Sequence, residues 1–175
     1  KVTLEAQLKR LEGDPALLLE YDNVIKDQAK SGIVERVEKP LNGEIGKVHY
    51  FPHLCMIKRE RETTKLRIVY DASAKQRQES PSLNDYLYNG PILTQKVLDV
   101  LLRFRSHNIG IAGDIQKAFL MLSLCEPDRD AFLFLWAEDI YSATPKFVTY
   151  RFTRVVFEVC SNSFLLNAAI KYHIE

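Results

Sequence analysis

The sequence contains no apolar run approaching the roughly 18 to 20 residues a bilayer-spanning helix needs, so a membrane protein is not expected. Cysteine is scarce. Cys55, Cys125 and Cys160 are far apart and odd in number, which argues against a disulfide framework, and no CxxC pair suggests structural zinc. They are expected to be small buried side chains in a reducing compartment. Glycine and proline, seven of each, are too few for a collagenous or low-complexity chain. Neither sign of charge dominates: 24 Lys and Arg face 23 Asp and Glu, a formal net charge of +1, which offers no global field for steering onto nucleic acid.

What is present is an ordinary globular composition, 46% hydrophobic and 27% charged over 175 residues, enough for one domain with a real core or two lobes of a larger one. Leu4, Leu8 and Leu11 recur at helical spacing until Gly13. Asp14 before Pro15 is a helix start, and the helix it opens carries Leu17, Tyr21, Val24, Ile25 and Gln28 on one face, with Gly32 placed to end it. Residues 48–58 and 65–71 are β-rich runs joined by a polar loop, and so form an expected hairpin with Pro52 on an edge strand. Between Lys47 and Arg77 lie eight Lys or Arg against three Asp or Glu, an excess of +5 that the neutral total conceals. Residues 80–91 form a loop by turn chemistry and 94–105 an amphipathic helix. A short strand is expected over 109–114, a helical turn over 115–122, strands over 131–136 and 146–152, and a final helix over 163–174. The class is α+β. The chain begins at Lys1 without a Met and stops within that last helix, so a piece of a longer polypeptide is expected.

Four places carry candidate chemistry. On a strand, Asp114 shares a face with Ala112 and Gly110, which leaves room for a hard cation beside the carboxylate; it could equally cap the following helix. Lys65 and Arg67 share a face with Val69 and Asp71. A guanidinium on a rigid strand suits a phosphate, or an ion pair with Asp71 or Glu62. Phe119 is a core ring or the wall of a sugar site. The junction from Phe157 to Phe164 is rich in small polar residues and could be a Ser-capped helix start. His49, His53 and Cys55 have no metal-ligand spacing on a strand.

Taken in order, Tyr50-Phe51-Pro52-His53, Lys65 through Ala74, Ser82-Leu83-Asn84-Asp85, Leu101 through Arg105, Asp114 through Leu120, Asp128-Arg129-Asp130 and Phe164 through Ala168 cover nearly the whole chain. This set resembles the reverse transcriptase domain of BEL/Pao-type long-terminal-repeat retrotransposons. The resemblance implies a partial right-hand polymerase: residues 1–108 as N-terminal helices and fingers, and 109–175 as early palm. It implies that Asp114 is a catalytic carboxylate and that the Ile115 carbonyl helps hold Mg²⁺ or Mn²⁺. Arg67 and Lys65 would grip a deoxynucleoside triphosphate, and Phe119 would exclude a ribose 2′-hydroxyl. Lys58, Arg59 and Arg61 on the basic hairpin would meet an RNA or DNA template–primer backbone. The implied reaction is two-metal attack of a primer 3′-hydroxyl on the α-phosphate. Protease, ribonuclease H and integrase are implied elsewhere in the polyprotein, and a cytoplasmic particle as its location.

Two features depart from that family. Its pattern has Phe-Gly-Val followed by Ser-Ser-Pro-Phe; here Glu158 stands for the Gly, and Asn162 and Ser163 for Ser and Pro. Glu158 brings bulk and negative charge towards phosphates. The family's paired aspartates, expected beyond the final helix, are not in these 175 residues. The expectation is thus a polymerase fragment inactive as it stands, with a non-catalytic nucleic-acid-binding module or a non-functional relic as the alternatives.

Overall fold

The computed structural model describes residues 2–38, 48–58, 65–142 and 144–174. The fold mixes helices and antiparallel sheet. Helices α1 (Val2–Leu11) and α2 (Pro15–Lys30) lead into β1 (Val34–Val37). The hairpin β2 (His53–Lys58) and β3 (Lys65–Tyr70) follows, then the short α3 (Leu83–Tyr86) and α4 (Val97–Arg105). Two 3-10 turns, Ala118–Met121 and Glu126–Ala131, precede β4 (Leu133–Ala137), β5 (Phe147–Phe152) and α5 (Asn162–Ile174).

The start of α2 follows from its sequence. The Asp14 carboxylate accepts the Leu17 amide at 3.1 Å, and Pro15 fills the first position, where no amide is needed. At its far end Gly32 takes φ +66°. The Ile33 amide then bonds the Gln28 carbonyl at 2.9 Å and the Gly32 amide bonds Ala29 at 3.1 Å, the paired bonds of a Schellman turn. That turn aims β1 at β5, with Val34 opposite Phe152 and Val37 opposite Thr149. The three-stranded sheet runs β1-β5-β4, all antiparallel. Nothing in Val-Glu-Arg-Val announces β1 as a strand; its partner lies more than a hundred residues on.

The run expected as one strand over 48–58 is divided. Its first part lies parallel along β4, where the Phe51 amide bonds the Leu133 carbonyl at 2.7 Å and the Leu133 amide bonds His49 at 3.0 Å. Pro52, with no amide to offer, sits where the chain leaves that sheet, and only then does β2 pair with β3. The expected strand over 109–114 does not form. These residues are irregular and exposed; they have two glycines, no strand beside them and no buried face. The helix expected over 115–122 is reduced to the turn Ala118–Met121, behind Lys117 in the left-handed region at φ 54°.

The core centres on His53, the first residue of β2. Rings of Tyr21, Tyr70, Phe134 and Trp136 stand 5.4–5.7 Å from its own. Its Nε2 donates to the Leu135 carbonyl at 2.9 Å, and its Nδ1 accepts from the Tyr21 hydroxyl, so the imidazole is neutral with one defined tautomer. Beside it the Trp136 Nε1 donates to the buried Asp22 carboxylate at 2.9 Å, which also holds Lys26. At the other end of the sheet Arg151 is buried between Asp130, at 2.8 Å, and Glu35, at 2.7 Å. This joins the second 3-10 turn, β5 and β1.

Burial lowers the His53 pKa from its ordinary value to about 4. Stability is therefore fully present above pH 6.5 and is lost as the pH falls towards 4, by about 3 kcal/mol. His49 is shifted in the same direction by its own burial. Urea denaturation across this range is expected to show the loss, and His53→Gln to flatten it. A second prediction concerns Gly90, at φ +74°, where a Cβ would overlap the Phe164 ring. Gly90→Ala is expected to cost about 2–4 kcal/mol in the same measurement.

Candidate nucleic-acid interface

The hairpin has two faces set by its register. His53 opposite Tyr70, Cys55 opposite Ile68 and Ile57 opposite Leu66 make the inward face, with Leu66 and Tyr70 buried. Leu54 opposite Val69 and Met56 opposite Arg67 make the other, on which Leu54, Met56 and Arg67 are exposed. The alternation expected for 65–71 is thus realised, and Arg67 projects from a strand whose reverse side is anchored in the core. Asp71 does not pair with it; its carboxylate accepts the Ser73 amide at 2.9 Å. Lys58 and Lys65 lie opposite each other at the far end of the ladder. Arg59, Arg61 and Glu62 lie outside the described residues.

Asp114 and Ile115 are exposed on the irregular stretch before Lys117. Without a strand the shared face with Ala112 and Gly110 is not formed. Among the described residues no cluster of three or more His, Cys, Asp or Glu is arranged to hold a metal ion.

Phe119 is half-buried, and its ring meets that of Phe157 edge-on at 5.2 Å. This contact joins the first 3-10 turn to the β5–α5 junction. Within the junction Val156 and Val159 are buried and the two residues between them are turned outward, Phe157 to 65% exposure. The reversal is made at Glu158, whose φ is 77°, a conformation that costs a side-chain-bearing residue roughly 1–2 kcal/mol. Asn162, the first residue of α5, is buried, and its carboxamide donates to the Val156 carbonyl across the turn. Ser163 is exposed at the first turn of α5.

The junction is fastened to the turn after β3 by Asn84. Its Nδ2 donates to Ser73 Oγ at 2.9 Å and to the Glu158 carbonyl at 3.2 Å, while its Oδ1 accepts the Cys160 amide at 3.0 Å. Asn84 is placed by α3, which Ser82 and Asp85 open with a reciprocal capping box. The Ser-x-x-Asp spacing is visible in the sequence; the partners of the Asn between them are not. Phe157 was likewise hidden, because only the fold turns it towards Phe119.

The chain matches no protein-family model, and no curated protein matches it by sequence. Among the described residues no helix is long and apolar enough to cross a membrane.

Glu158→Gly is expected to stabilise the protein by about 0.5–1 kcal/mol after the backbone entropy of Gly is offset, and Glu158→Ala to give no such gain. Thermal denaturation of the three chains checks this.

Proposed function

We propose that this chain is the fingers and early palm of an RNA-directed DNA polymerase resembling those of BEL/Pao-type retrotransposons. On this reading it binds a primer–template and does not polymerise alone. The observation that carries the reading is the left-handed backbone at Glu158. Only glycine adopts that conformation without cost, and glycine is what the family pattern has at this position. A chain whose fold needs Gly there, while its sequence supplies Glu, is best understood as having descended from one that had it.

Two further observations support it. Arg67 stands on the exposed face of a core-anchored strand, which is the geometry for gripping a phosphate through paired hydrogen bonds. From α4 to Ile115 large apolar side chains are uncovered: Val97, Leu98, Leu101, Leu102, Ile109, Ile111 and Ile115 are all exposed. So extended an apolar surface marks an interaction site, here the side on which further palm strands would pack. The implied chemistry requires more carboxylates than Asp114, so nucleotidyl transfer is assigned to a longer form of the protein. For these 175 residues the proposed activity is sequence-independent contact with a nucleic-acid backbone.

Fluorescence anisotropy with an RNA–DNA primer–template, repeated over a range of salt, tests this. The chain is expected to bind with a steep salt dependence. Arg67→Ala is expected to weaken binding several-fold, equally for all sequences, and to reduce the salt slope by about one. Absence of salt-dependent binding, or indifference to Arg67→Ala, would contradict the proposal.

A further inference from the structure

We infer that Asn84 is a positioning residue whose carboxamide holds residue 158 in its left-handed conformation and thereby sets Phe157 beside Phe119. The inference rests on the nucleic-acid reading for its binding consequence, and on geometry alone for the clamp. Three polar groups converge on one side chain. The Glu158 carbonyl and the Cys160 amide belong to the two peptide groups that follow the strained residue, and Asn84 satisfies both, at 3.2 and 3.0 Å. The second Nδ2 bond, to Ser73 at 2.9 Å, ties the carboxamide to the turn after β3. The backbone of residue 84 is fixed as well, its amide bonding the Ala72 carbonyl at 3.2 Å and its carbonyl facing the Cys160 thiol at 3.6 Å. The clamp therefore has a rigid origin on the fingers side and closes on the junction that leads into α5.

A left-handed residue with a Cβ relaxes towards ordinary φ unless its surroundings over-determine it. At Glu158 the constraint comes from Asn84 on the two peptide groups that follow it and from burial of Val156 and Val159 on either side. Release of the clamp lets the turn relax, and Phe157, whose direction the turn sets, moves from Phe119.

A double-mutant cycle without nucleic acid decides the clamp. Asn84→Ala is expected to lower the thermal midpoint by about 5 °C in the Glu158→Gly chain and by less in the Glu158 chain, where relaxation of the strained turn recovers part of the loss. Glu158→Gln, which removes the charge and keeps the Cβ, is expected to behave as the Glu158 chain does. Losses in the Gly background that match those in the Glu background would overturn the inference. If Asn84→Ala does not fold, Asn84→Asp supplies the same cycle, since it keeps the acceptor for Cys160 and removes the donor to residue 158. Hydrogen exchange at the Cys160 amide is then expected to stay protected while the midpoint falls.

Binding of the RNA–DNA primer–template supplies the readout that a purely structural role would not move. Asn84→Ala is expected to weaken it several-fold with Glu158 present, and Glu158→Gly to restore it. Unchanged binding by Asn84→Ala would overturn the positioning role. A parent chain that binds nothing would sink the proposed function and leave the clamp to be judged by the midpoints.

Discussion

A neutral imidazole in a buried aromatic nest is the constraint on which the rest of the molecule is built. His53 accepts a hydrogen bond from the Tyr21 hydroxyl of α2, donates one to the Leu135 carbonyl of β4, and begins the strand that forms the hairpin. Both partners are needed for the neutral tautomer, and burial pushes the Tyr21 hydroxyl far above its usual pKa so that it remains a donor. One side chain therefore links the helical layer, the three-stranded sheet and the hairpin. The rings packed on it, with Phe152 beyond, supply the apolar burial that offsets its desolvation.

On the proposed reading, that anchoring is what suits the hairpin to a phosphate backbone. An arginine on a mobile loop loses side-chain and backbone entropy when it grips a phosphate; Arg67 has its strand already held by the inward faces of Leu66 and Tyr70. The loop after β3 continues into α3, whose Asn84 reaches the β5–α5 junction, so the outer strand face and the Phe119–Phe157 pair belong to one connected framework. Beyond it, no residue of α4 or of the segment through Ile115 is buried, and the Phe104 ring lies against Gly110. One half of the molecule is thus a packed core, the other an exposed apolar surface.

Much of this was legible in the amino acids. Asp14-Pro15 and Gly32 mark both ends of α2, and the alternation through residues 65–71 assigns the inward and outward faces of β3. Other parts depend on partners distant in the chain. Val34–Val37 is a strand because β5 lies beside it, and residues 48–52 belong to a different sheet from 53–58 because Pro52 and the edge of β4 divide them. Residues 109–114 have the apolar letters of a strand, yet nothing pairs with them here. At the site, Arg67 and the anomaly at Glu158 could be found from sequence. The roles of Asn84 and Phe157 could not, since hydrogen bonds spanning more than seventy residues leave no local pattern.

The central claim is that these residues are part of a template-directed polymerase. Primer extension on an RNA template with Mg²⁺ tests it most directly, comparing this chain with one lengthened to include a paired-aspartate hairpin after residue 175, each with Glu158 and with Gly at that position. Extension is expected from the lengthened protein, more strongly with Gly, and not from the 175 residues alone. A lengthened protein shown to be folded that extends no primer in either form would contradict the claim, as would extension by the short chain itself.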